Sequence, residues 1–379
     1  MSPFLTLGSV ALAILTPSGV ALGVLNPASI AWNGKEVMAL SEAIFTSVFV
    51  NPEISEFHTI VPGIVAKQQI AFLGLLGLVG KSGSGCSPEA DTPTASLTQK
   101  FWEPAPIGLR IEECYTTYNA SFFIWAQNKG VKRADLTNTD VFNFIEERSV
   151  TGMNEAKLRH AWFGDTDAAN YNSSPAGIVT NGVDVDYFNS VDGFFKQMYA
   201  IVAADSTKLT SIALNAQASY AAQRFDSTDT TNKLVMGIMD TMRTEADTRL
   251  SDRDDTIFIV TKSVYDQLVR EYKSYTAIES SYQLNKDGVR ELMFDGVPVR
   301  KFSFWDRTIN AYFNNGTKWY QPHRIVYTVK SNLQIGVESE EALNGMDVFY
   351  DKKTKLNILD AEFLMDAKVI EDYMVQVAY

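Results

Sequence analysis

Between Thr137 and Phe163 apolar residues recur at three- and four-residue steps. Phe142, Ile145, Met153, Ala156 and Phe163 form one stripe, and Glu146, Glu147, Arg148 and Arg159 fall elsewhere. Thr137, Asn138 and Thr139 are helix-capping types, and Asp140 complements the positive end of the helix dipole. Lys157, Arg159 and His160 crowd the last turn before Gly164. The pattern predicts one long helix over 139–163, roughly 36 Å at 1.5 Å per residue, closed by a tight glycine turn. Further helices are predicted over 36–50, 191–204 and 231–250, the last with Leu234, Ile238, Met242 and Ala246 on one face.

Period-two patterning governs other stretches. Thr256–Thr261 (TIFIVT) predicts a buried strand, with a helix following over 262–275. Asp295-Gly296 between apolar triplets predicts a two-residue hairpin, and Asn315-Gly316 a second one between Tyr312 and Trp319. The segment 324–379 reads as nearly all strand: 325–329, 334–338, 346–350, 356–359 and 363–377.

The stretch 60–118 predicts a two-stranded protruding ribbon. An apolar run with Gly63, Gly74, Gly77 and Gly80 leads to a polar tip ending near Thr94, and 96–118 returns with alternation at Leu109, Ile111 and Glu113. Ile64, Val65, Ile70, Phe72, Leu73, Leu75, Leu76, Leu78 and Val79 exceed what two strands can bury. Such a ribbon is marginal alone, so it should lean on another surface. Residues 1–34 carry no charged side chain, but no basic segment precedes the apolar run. Pro17, Pro27 and several glycines interrupt it, which argues against a signal peptide or membrane span and for an extended arm.

Composition narrows the picture. With 379 residues, 46% of them hydrophobic, the chain is an ordered protein large enough for two or three cores. Its net charge of -12 repels phosphate polymers and argues against a nucleic-acid reader. Two cysteines, Cys86 and Cys114, are too few for a disulfide scaffold and fit free thiols in a reducing compartment.

Candidate chemistry is sparse. Gly74–Ser82 (GLLGLVGKS) imitates a phosphate-binding loop, yet Leu75 stands where that motif needs glycine, and Gly83, Gly85 and Pro88 follow where a helix must begin. His58, His160 and His323 lack a metal-ligand spacing. Asp252, Asp254 and Asp255 imitate a calcium loop, but Ile257 takes the place of its turn glycine. No Gly-x-Ser-x-Gly elbow occurs, and nothing in the sequence pairs a nucleophile with a histidine. No catalytic, cofactor-binding or metal-binding residue is therefore expected.

The order of parts resembles that of major capsid proteins of tailed bacteriophages with the Hong Kong phage fold, to which encapsulins are related. The parts are the apolar arm, the ribbon, the long helix ending in Trp162-Phe163-Gly164-Asp165 and then Gly177-Ile178. After them come the strand–helix pair over 257–270, the Phe294-Asp295-Gly296-Val297-Pro298-Val299 hairpin and a closing run of strands. The resemblance implies an α+β fold. Its divisions are an N-terminal arm (1–59), an E-loop ribbon (60–118), a peripheral domain with a spine helix (119–205), an α/β axial domain (206–323) and peripheral C-terminal strands (324–379). It implies a non-enzymatic shell protein of the virion, assembled in the host cytoplasm. Hexamers and pentamers of the chain would enclose double-stranded DNA without reading its sequence.

On the same resemblance, Ile70, Phe72, Leu73, Leu75, Leu76, Leu78, Val79 and Lys81 of the E-loop are the subunit-interface residues. Some members crosslink an E-loop lysine, and Lys81 lies near the ribbon tip. Portal, scaffold or decoration proteins would be further partners, with any scaffold a separate protein, and no membrane is involved. The alternatives are an encapsulin-type compartment shell or a nucleotide hydrolase using Lys81, the latter opposed by the motif spacing.

Overall fold

The structure is a computed structural model that describes residues 56–76, 95–114, 152–168, 185–274, 282–284, 290–338, 347–351, 353 and 356–379. Residues 1–55 of the predicted arm (1–59), the first part of the predicted long helix and Gly177-Ile178 lie outside the described residues.

The first four strands are β1 (Thr59–Pro62), β2 (Gln68–Leu76), β3 (Ala95–Trp102) and β4 (Ala105–Cys114). Helix α1 covers 152–163, and α2 (Phe194–Ala204) precedes β5 (Leu209–Thr210). Three helices, α3 (Ser227–Asn232), α4 (Leu234–Glu245) and α5 (Thr248–Ser251), lead to β6 (Thr256–Val260) and α6 (Lys262–Lys273). Then come β7 (Tyr282–Leu284), β8 (Arg290–Phe294), β9 (Val297–Lys301) and α7 (Ser303–Tyr312). The chain closes with β10 (Ile325–Val329), β11 (Leu333–Val337), β12 (Asp347–Asp351), β13 (Leu356–Val369) and β14 (Val375–Ala378).

A seven-stranded mixed sheet, ordered β5-β14-β10-β6-β9-β8-β7, is buried on both faces at its centre. Successive side chains of a strand point to opposite faces, and the packing follows that alternation. Ile259, Val326, Val375 and Val377 join one core with α1, α2 and α7. Phe258, Val260, Ile325, Tyr327 and Val329 join the other with α4 and α6. This is why TIFIVT carries almost no polar residue: a two-sided strand has no solvent face.

A second sheet runs β1-β11-β13-β12, with β4 also paired to β13. Its Leu333, Ile335, Val337, Met365, Ala367 and Val369 are buried in the same core as α1. The closing run of strands is thus shared between the sheets, β10 and β14 in one and β11 to β13 in the other.

The Asp295-Gly296 hairpin forms as predicted, with φ of 48° and 82° at its two turn residues. Asn315-Gly316 does make a turn, but its flank at Tyr312 is the end of α7, and only one bridge, Asn314 to Trp319, closes it. The single helix expected over 231–250 is three. Lys233 takes a left-handed conformation (φ 56°), and the buried Glu271 carboxylate accepts from the amides of Val235 (3.0 Å) and Met236 (2.9 Å), capping a fresh helix start.

The glycine turn after α1 depends on close backbone contact. Gly164 N donates to His160 O at 3.2 Å and Gly193 N to Gly164 O at 2.9 Å. A Cβ on Gly164 would stand 2.3 Å from the carbonyl oxygen of Val191. Lys196 sits on the same turn, bridging Asp165 (2.7 Å), Asp167 (2.7 Å) and Asp192 (2.8 Å). Burial alone would lower the Lys196 pKa, but its hydrogen bonds to these three carboxylates raise it above the ordinary lysine value. Gly164→Ala is expected to lower the unfolding free energy by about 2–3 kcal/mol, because backbone rather than a side-chain tip must yield. Chemical denaturation followed by circular dichroism measures it, and a loss below about 0.5 kcal/mol would contradict the account.

Candidate assembly site

Strands β2 and β3 form a two-stranded ribbon from Gln68↔Trp102 outward, with a register shift between Leu73 and Leu76. They pair with each other and with no other strand among the described residues. At about 3.4 Å per residue the nine residues of β2 reach roughly 30 Å. The ribbon is shorter than the 60–118 span read from sequence. Residues 59–62 pair in parallel with β11, and 105–114 pair along β13. The alternation at Leu109, Ile111 and Glu113 therefore belongs to the five-stranded sheet. Ile64 leaves the expected exposed flank as well: it is buried, and its amide donates to Val337 O.

The ribbon's root is fixed to the body. Trp102 is buried with its ring against Gly336, where a Cβ would come within 2.9 Å of ring carbons. Lys100 Nζ donates to Val369 O and to Asp372 Oδ1, each at 2.6 Å. The amide of Glu103 donates to the buried Asp366 carboxylate at 2.7 Å, and Lys67 pairs with Glu103 across the root. Beside these anchors Val65 and Phe101 stay exposed, at 52% and 37%.

Of the interface residues named from sequence, Ile70, Phe72, Leu73, Leu75 and Leu76 fall along β2, and Ile70 is half-buried. Leu78, Val79 and Lys81 lie outside the described residues, as does most of the phosphate-loop imitation.

The other sequence candidates have structural places. Asp252 closes α5, and Asp255 pairs with Arg253 immediately before β6, a helix-to-strand turn. Among the described residues no three metal-ligating side chains gather. All three histidines are buried: His58 accepts from Trp162 Nε1 at 2.9 Å and stacks on Phe194, and His160 faces the core from α1.

One expectation from sequence is overturned. Ser263 Oγ and His323 Nδ1 lie 2.7 Å apart, and His323 Nε2 is 2.5 Å from Gln223 O, which fixes the tautomer that accepts from serine. Sixty residues separate the pair, so no local motif announces it. Its chemistry is that of a clamp. Burial pushes the His323 pKa down to about 4, a weak base, and the Asp306 carboxylate occupies the neighbouring Lys262 amide at 2.7 Å.

These groups set a pH response. Burial lowers His160 as well to about 4, with Arg159 adding to the effect, whereas unfolded histidine titrates near 6.5. Both histidines therefore favour folding above pH 6.5 and lose that contribution as pH falls towards 4. Burial raises Asp306 to about 6, so its contribution grows over part of the same window and offsets some of the loss. Burial raises the carboxyls of Glu271 and Asp366 as well, so a net loss of at most about 3 kcal/mol is expected between pH 6.5 and 4. Equal denaturation midpoints at the two pH values would contradict it.

No family model matches the sequence, and no curated protein matches it. Solved structures do. A chain of the satellite phage P4 procapsid including size determination (Sid) protein is 12% identical, with 90% of this chain and 97% of that one covered at a TM-score of 0.51. A structure of Mycobacterium phage Ogopogo gives 10% identity, 86% and 90% coverage and 0.48. The capsid of a native GTA particle gives 12%, 97% and 95%, and 0.45. Matching over nearly its full length, the chain has the mixed helix-and-sheet fold of a phage procapsid chain, in keeping with the Hong Kong phage resemblance of its sequence.

Proposed function

We propose that this chain is the major capsid protein of a tailed phage. It assembles through hexamers and pentamers into an icosahedral shell around double-stranded DNA, and catalyses no reaction. The observation that carries the reading is the fold shared with a procapsid chain over 90% of this chain, joined to a ribbon that pairs with no other strand among the described residues and would gain support from a neighbour. The anchors at Trp102, Lys100 and Glu103 fix the ribbon's root to the body, and a repeated head-to-tail contact of the ribbon with the next copy generates rings. Ile70, Phe72, Leu73, Leu75, Leu76, Leu78, Val79 and Lys81 are the residues the neighbour covers.

Sedimentation velocity over a concentration series tests it. Ring-sized or shell-sized species support the reading, and a 42.1 kDa monomer at every concentration overturns it. A container that must release its genome should grip it weakly, and the net charge of -12 suits that role. Unassembled subunits are expected not to retard duplex DNA in a gel at physiological salt. Tight retardation with a steep salt dependence would contradict this.

A further inference from the structure

The seven-stranded sheet carries opposite charge at its two ends. Where β6 and β9 finish and β10 begins, a cleft of about 360 Å³ opens between α6, α7 and the segments around 223–225 and 319–323. Arg224, Lys262 and Arg270 line it, above an apolar floor of Phe225, Ile309 and Trp319. Its two carboxylates are engaged within the fold: Asp266 pairs with Lys262 at 2.5 Å, and Asp306 accepts from the Lys262 amide. Arg224 and Arg270 remain exposed, and neither forms an ion pair among the described residues.

The opposite end of the strand, roughly 17 Å away over five residues, is the turn 252–255. There Arg249 and Arg253 are held bidentately by Asp247 and Asp255. Asp252 and Asp254 are exposed and form no ion pair among the described residues, and Glu371 adds to the negative field around Arg249 and Arg253.

Resting on the self-assembly reading, we propose that Asp252 and Asp254 of one copy dock on the Arg224–Arg270 cleft of the next. The complementary charges stand at opposite ends of one strand, so like ends repel and unlike ends attract. That arrangement selects a head-to-tail contact and fixes its register. Carboxylates over a pair of guanidinium groups form charge-assisted hydrogen bonds, and the cleft's apolar floor shields them from salt better than an open surface would.

Charge reversal in the full chain tests the contact. Arg224→Glu with Arg270→Glu, and separately Asp252→Lys with Asp254→Lys, should each leave the melting temperature nearly unchanged, since all four positions are exposed. Each pair should raise the concentration needed for assembly at least tenfold. The chain carrying all four substitutions should assemble again, and an equimolar mixture of the two pair variants, whose attractive contacts must alternate, should regain even-numbered rings. If a reversed pair unfolds, Asp252→Asn with Asp254→Asn keeps the shape and should still weaken assembly severalfold. Reversed pairs that assemble like the parent, or a folded four-substitution chain that does not assemble, would overturn the docking while leaving the shell function standing. Failure of the parent chain to assemble at all would overturn both.

Discussion

Replacing Trp162 by alanine is expected to lower the unfolding free energy by about 4 kcal/mol. Trp162 is wholly buried where α1 meets α2 and α7. Ring centroids lie 4.6 Å away at Trp305, 4.9 Å at Phe194 and 5.2 Å at Phe195. Aromatic neighbours locked against one another cannot collapse into the space an indole leaves, so the cavity persists and its full cost is felt. The substitution also removes the donor to His58 Nε2. Trp162→Phe separates the two contributions, because it keeps most of the ring contacts and loses only the N–H, at a cost of roughly 1–2 kcal/mol. Guanidinium denaturation followed by circular dichroism reads both variants. A loss below 1 kcal/mol for the alanine variant would show that this cluster does not hold the two sheets together.

Deleting Gly74–Thr94 should abolish closed shells while sparing the fold. The deletion removes the outer part of the ribbon but keeps its root, with Trp102 against Gly336, Lys100 on Val369 and Asp372, and Glu103 on Asp366. The ten-residue ladder of β4 on β13 and both hydrophobic cores are untouched. A soluble, cooperatively melting subunit that no longer closes into particles is the expected result. Normal assembly of the deletion variant would show that the ribbon is not the clasp, and loss of folding would place the segment in a core.

Local signals in the sequence served the α/β unit well. TIFIVT and the amphipathic run after it became β6 and α6, and Asp295-Gly296 became the β8–β9 turn, because both features are fixed within ten residues. Long-range contacts were not legible. The break at Lys233 answers to Glu271, which caps Val235 from 36 residues downstream, and the Ser263–His323 clamp spans 60. At the end of α1 the periodicity picked out Met153, Ala156 and Phe163, all buried, but read Lys157 and His160 only as basic residues of the last turn. Both are buried with Trp162, because strands from two sheets and two helices enclose that turn from every side, and a one-sided stripe cannot encode such a site. The ribbon was legible as extended chain. Its true extent was not, since pairing of 105–114 with β13 depends on a partner some 250 residues away.

Assembly is the central claim, and cryo-electron microscopy of particles purified with this chain tests it most directly. The account predicts closed icosahedral shells whose wall is built from this fold, with each ribbon lying across the adjacent subunit. A homogeneous 42.1 kDa monomer at high concentration, with no particles, would contradict it.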